Sequence, residues 1–236
     1  MHRSGLTLWL WCACTPLFAA PMVPGDFSAH YVVKKGPIEL GTARRSLRNV
    51  SPHVWVYESE TNSTGGVLGV FFKLHEIKLS RIVLANELLQ VESYEHTRKG
   101  NNPTALKQHY AWDKGRVTTQ WQDGEVVTYE LVPRAYDQNM YQLAVMMDLA
   151  QGQTSMTYQL AENRRIKTYT ITEVRRERIK TTIGDFNAHV VVNRDKSAET
   201  MMWCAEELNY LPVRIEYEDN GIRINALITR VEGLGR

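Results

Sequence analysis

Seven histidines are the first place to look for chemistry in this chain. A metal centre needs ligands at fixed short spacings, such as His-x-His, His-Glu-x-x-His or paired cysteines. His30, His53, His75, His96, His109 and His189 instead stand singly in separate segments. That is the pattern of satisfied or solvent-facing imidazoles, so neither a metal nor a cofactor is expected. Nucleophilic catalysis lacks its signatures too, since Gly-x-Ser-x-Gly and Ser-x-x-Lys are both missing. Cys204, in the run MMWCAEEL, reads as a small buried hydrophobe rather than an activated thiol. Glu58 and Glu60 alternate on one strand face and could pair for acid–base work, but a face turned to water explains them equally. An enzyme, a hydrolase for instance, would need His30 or His189 brought against Glu58 or Glu60 in a cleft. The expectation is a non-enzymatic protein.

The remaining candidates bind rather than react. Trp55, Tyr57, Tyr110 and Trp112 supply large apolar surfaces, and Met140, Met146 and Met147 supply deformable ones suited to flexible chains. Phe71 and Phe72 close the stretch Thr64–Phe72, whose glycines Gly65, Gly66 and Gly69 suggest a bend or a lid that packs the Phe pair inward. The same stretch lacks the Gly-Lys-Ser/Thr ending of a phosphate loop. The expected ligand-binding residues are therefore Trp55, Tyr57, Phe71, Phe72, Tyr110, Trp112, Met140 and Met147. They would also serve to fill a solid core. A basic cluster, Arg164, Arg165, Lys167, Arg175, Arg176, Arg178 and Lys180, is interleaved with Glu173 and Glu177. It reads as solvated strand faces or as an anionic headgroup site.

The elements that must hold these residues are mostly strands. Phe27, Ala29, Tyr31 and Val33 alternate with more polar neighbours. Similar segments follow, separated by the turn signals Lys35-Gly36-Pro37, Asp113-Lys114-Gly115, Asp123-Gly124 and Asp219-Asn220-Gly221. Strands are expected at 166–174 and 176–183 as separate elements. One helix interrupts the series at Asp137–Gln151. Asp137 can cap it, Met140, Leu143, Ala144, Met147 and Ala150 form one apolar face, and Gly152 ends it. Gly25–Val33 and Gly184–Val192 echo one another, from duplication of a half-sheet or from two similar turn-to-strand entries. The fold class expected is mainly β: an antiparallel up-and-down meander forming a half-barrel or open barrel around one central helix.

Residues 1–20 read as a signal peptide, with Arg3 before the apolar run from Leu6 and Phe18-Ala19-Ala20 before the cut. The run is too short to span a bilayer, so no stable membrane span is expected after cleavage. Cleavage would remove Cys12 and Cys14 and leave Cys204 alone, so no intramolecular disulfide forms. Residues 21–236 then make a single β-rich domain, large enough for a core without staples. A net charge of +2, mixed along the chain, gives no basic footprint for nucleic acid.

Three stretches resemble a family of exported Gram-negative proteins described as a domain of unknown function (number 3108). They are Tyr31–Gly41, the helix opening Asp137-Gln138, and Met202-Trp203-Cys204-Ala205 running to Leu211-Pro212-Val213-Arg214-Ile215-Glu216-Tyr217. The resemblance spans about Asp26 to Val231 and implies an exported β-rich protein, with no catalytic residues to carry over. The Trp203…Leu211-Pro212-Val213-Arg214 ending also resembles a strand pair of periplasmic lipoprotein carriers, whose half-barrels hold acyl chains. Together with the aromatic faces and the glycine-flanked stretch, these likenesses lead to the expectation of a periplasmic protein that binds an apolar or amphipathic, lipid-like envelope ligand. The alternative is an envelope assembly or scaffold protein that binds a protein partner through its surface.

Overall fold

The computed structural model describes residues 23–63, 74–100, 102–195 and 198–234. The expected signal peptide, with Cys12 and Cys14, lies outside these residues. So does the expected lid carrying Phe71 and Phe72.

The chain runs through eight strands: β1 (Phe27–Lys35), β2 (Ile38–Ser51), β3 (Val54–Ser63), β4 (Leu74–Ala85), β5 (Leu88–Gly100), β6 (Thr104–Ala111), β7 (Arg116–Trp121) and β8 (Val126–Glu130). A two-residue strand β9 (Ala135–Tyr136) precedes the helix α1 (Met140–Ala150). Then come β10 (Thr157–Ala161), β11 (Ile166–Thr181), β12 (Gly184–Asp195), β13 (Ala198–Ala205), β14 (Leu211–Asp219) and β15 (Ile222–Gly233). All fifteen join one sheet, in the order β8 down to β1, then β15 down to β9. Among the described residues every pairing is antiparallel except β9 with β10. The meander expected from the turn signals is therefore the architecture. Asn220 and Gly221 both take positive φ, which turns β14 into β15 as an Asn-Gly signal should. Two segments read as separate strands, 166–174 and 176–183, form the single strand β11. Arg175 continues the extended backbone there, because nothing in its neighbourhood forces a turn.

This order dictates curvature. β8 and β9 are opposite ends of the sheet, yet only Leu131–Arg134 separates them in sequence. Fourteen flat strand spacings would put those ends about 65 Å apart. Four linking residues and their flanking bonds span at most about 17 Å. The sheet must curl until its ends nearly meet. Among the described residues no ladder of backbone hydrogen bonds closes the gap; side chains stitch it instead. Gln108 Nε2 lies 3.0 Å from the carbonyl oxygen of Glu162, to which Tyr129 also donates its hydroxyl. Arg164 pairs with Glu125 through two 2.7 Å contacts and lies over the Trp121 ring. The result is an open, barrel-like sheet.

The curl surrounds α1. Eight of its eleven residues are buried, including Tyr141, Val145, Met146 and Leu149, which lie off the expected stripe. The single apolar face is thus corrected to a helix buried on nearly all sides, as befits one enclosed by a sheet. Its boundaries tighten to Met140–Ala150, with Asn139 as the residue preceding the first turn.

Candidate functional site

Asp137 performs the capping role from two residues before Asn139. Its Oδ1 accepts the N–H groups of Asn139 and Met140, each at 2.7 Å, and the hydroxyl of Ser80 at 2.9 Å. Asn139 completes the anchorage. Its Nδ2 donates to the Tyr57 carbonyl at 2.9 Å, and its Oδ1 accepts from Ser59 Oγ at 2.6 Å. Gln142 accepts from Arg45. The N-terminal end of the helix is therefore fixed to β2, β3 and β4 by polar contacts made inside the sheet. Burial pushes the Asp137 carboxyl up to about 6, against the lowering influence of those hydrogen bonds and of Lys78.

That anchorage identifies the inner face. Ser59 and Ser80 reach the helix, so side chains paired across the ladders with them also point inward. Lys78 stands opposite Ser59 and opposite His96; Arg45 stands opposite Ser59 on the other side. One step further along, Thr61, Glu76, Arg98 and Thr104 form the next inward row. The concave face beyond the helix is thus polar and mainly cationic. On the outer face of the same strand stand Ile77 and Leu79, opposite Glu60 and Glu58. Over this stretch β4 is inside out: polar toward the interior and apolar toward the exterior.

Glu76 is the centre of the inner rows. Its Oε1 accepts from His96 Nε2 at 2.9 Å, and its Oε2 lies 3.5 Å from Lys78 Nζ. Burial raises the Glu76 pKa, but the His96 hydrogen bond and the charges of Lys78, His96 and Arg98 prevail and hold it at about 2. Among the described residues, Arg98 Nε, Tyr94 OH and Asp137 Oδ2 are buried without a hydrogen-bond partner. Buried polar atoms of this kind are uncommon and call for an explanation.

The aromatic and methionine candidates fall elsewhere. Tyr57, Tyr110, Met140 and Met147 are buried in the core. Met140 and Leu143 have no measurable exposure, so they touch packed neighbours rather than a water-sized void. Trp55 and Trp112 are half-buried against the same core. Trp112 has left the β6 ladder for a 3-10 turn and donates its indole N–H to the Val91 carbonyl at 2.7 Å. The sequence pattern did not single out Lys78, Glu76, His96, Arg98 and Arg45 as one site. The signal was present as polar residues at alternate positions in β4, but Ile77 and Leu79 made the opposite face look like the inner one.

Other candidates resolve into pairs. His30 contacts Ser28, whereas His189 contacts Glu206 at 2.7 Å and packs edge-on to Tyr210. Glu58 and Glu60 both pair with Arg44. Neither histidine is partnered with Glu58 or Glu60. Cys204 is fully buried, and burial pushes its thiol pKa well up, which suits a packing residue. In the basic cluster, Arg164, Lys167, Arg175 and Arg176 each meet a carboxylate. A recess of about 150 Å3 lies beside Lys167, Tyr169, Asn193 and Arg194. Among the described residues no three His, Cys, Asp or Glu side chains cluster as a metal site, and no helix is long and apolar enough to cross a membrane.

Fold and interior together define an open, β-barrel-like protein curled around one buried helix, with polar rows on its concave face. The fold is similar to that of a crystal structure of a β-barrel-like protein of the domain of unknown function DUF1849 from Brucella abortus. The two align with a TM-score of 0.56 at 7% identity, over 91% of this chain and 99% of that one. The chain belongs to the family described as protein of unknown function (DUF3108), whose model matches residues 26–225. A search of curated proteins finds no match.

Proposed function

We propose that this is an exported, periplasmic, non-enzymatic protein that binds an amphipathic, lipid-like ligand of the cell envelope. The observation that carries the reading is the inside-out polarity of β4, which sets Lys78 and Glu76 on the concave face next to a methionine-rich core. An interior that is cationic at one end and apolar at the other matches a molecule with the same division. In this reading Met140, Met146 and Met147 are the side chains that yield to an acyl chain, because thioethers repack easily. Tyr57, Tyr110, Trp55 and Trp112 form the walls around them.

Native mass spectrometry of protein purified from an envelope fraction tests the proposal. A retained adduct of lipid mass is the expected result, and persistently ligand-free protein overturns it. A second reading, an envelope assembly protein that binds a partner through its surface, draws support from the close packing of α1. Crosslinking in intact cells that traps a defined protein partner, together with ligand-free mass spectra, would favour that alternative.

A further inference from the structure

We infer that the inward rows of β4 and β5 form a site for one anionic group, a phosphate or a carboxylate, with Lys78, His96 and Arg98 as its donors and Glu76 as the internal anion that occupies them. The inference rests on the ligand-binding reading above and gives that ligand its charge. Three cationic or donor side chains converge on a single carboxylate. Glu76 is bonded to His96 at 2.9 Å and lies 3.5 Å from Lys78, while Arg98 stands directly across the ladder from it. Arg98 Nε is buried and has no hydrogen-bond partner among the described residues.

Arg45, on the same face, is engaged by Gln142 and lies 5.5 Å from the Tyr31 ring centroid. It therefore adds positive charge without consuming the carboxylate. Arg45, Lys78 and Arg98 still outnumber Glu76 and the buried Asp137, and partly desolvated cations in excess of their counter-charge are costly. A second anion relieves that cost, and a guanidinium beside an ammonium is a suitable receiver for it. The side chains of Lys78 and His96 keep about a quarter and a seventh of their surface exposed, so the donors remain reachable.

Titration calorimetry of the purified protein with three probes tests this: dodecyl phosphate, dodecyl maltoside and inorganic phosphate, with both amphiphiles below their micelle concentrations. Dodecyl phosphate should bind about tenfold tighter than dodecyl maltoside, the scale of one charge-assisted hydrogen bond. Arg98→Gln and Lys78→Gln should each remove most of that preference by weakening dodecyl phosphate binding more than dodecyl maltoside binding. Glu76→Gln should tighten phosphate binding about fivefold by vacating the donors, whereas in a purely structural ion cluster it would only lower stability. Thermal unfolding verifies each variant, and Lys78→Gln serves if Arg98→Gln does not fold. Equal affinity for the two amphiphiles, or phosphate binding indifferent to both Arg98→Gln and Lys78→Gln, overturns the anion site while leaving the ligand-binding reading intact. If inorganic phosphate binds as tightly as dodecyl phosphate, the site stands and the amphiphile reading falls. No binding by any probe overturns both.

Discussion

Asp137 is a carboxylate with no water-accessible surface, and its protonation is coupled to folding. Its folded pKa is raised from 3.8 to about 6. The folded state therefore holds the proton more tightly than the unfolded chain does. That contribution is complete below the unfolded pKa and is lost as pH rises through the folded one. The shift corresponds to at most about 3 kcal/mol. Asp137→Asn keeps an acceptor for Ser80, Asn139 and Met140 but carries no charge. In urea titrations it should gain up to about 3 kcal/mol over wild type at pH 7.5, and the gain should vanish below about pH 4. Asp137→Ala strands two backbone N–H groups and a hydroxyl, and should lose about 1–3 kcal/mol at low pH. Asp137 was legible in the sequence as a helix cap. Its burial was not, because local spacing does not reveal that a sheet closes over the helix terminus.

At the scale of elements, β2 and β3 are held closer than side chains normally permit. A Cβ on Gly41 would lie 2.1 Å from the Asn62 carbonyl oxygen and 2.9 Å from the Ser63 Cα. Both are backbone atoms, so relief requires the strands to part. Gly41→Ala should therefore cost about 1–3 kcal/mol, read from the denaturation midpoint. It should also raise amide exchange at Asn62 and Ser63. Gly41 closes the Tyr31–Gly41 stretch singled out in the sequence, and it lies in β2. The strands, hairpins and helix were readable from period and turn chemistry, since those are local properties. The direction in which β4 faces was not. Ile77 and Leu79 alternate as a core face would, and only the register with Ser59 and Tyr94 shows that Lys78 and Ser80 point inward. The same limit explains the binding candidates. Aromatic residues mark apolar surface, but composition alone does not say where in the fold that surface lies; Tyr57 and Tyr110 are buried in the core around α1.

At the scale of the molecule, the two ends of the sheet are joined by side chains, and Gln108 is central to that joint. It is buried, shares its amide hydrogens among Thr119, Tyr129 and the Glu162 carbonyl, and accepts from Tyr110. Gln108→Ala should cost about 2–3 kcal/mol by stranding several buried partners. It should raise hydrogen exchange in β7, β8 and β10 more than in β1 and β15. The exposed Arg164–Glu125 pair should matter little, within about 1 kcal/mol on replacing either partner.

The sheet order also sets the sequence of events by which the protein can form. Every ladder from β1 to β8, and every one from β10 to β15, joins strands adjacent in the chain. Each can close as a local hairpin within microseconds. The β1–β15 ladder is different, since it pairs Phe27 with Gly233 and must bring together remote parts of the chain. Loop-closure entropy delays such a contact until the flanking meanders already offer edges to pair. The slow kinetic phase of refolding should therefore be the zippering of two preformed half-sheets along β1 and β15, with their amides among the last to gain protection in pulsed exchange.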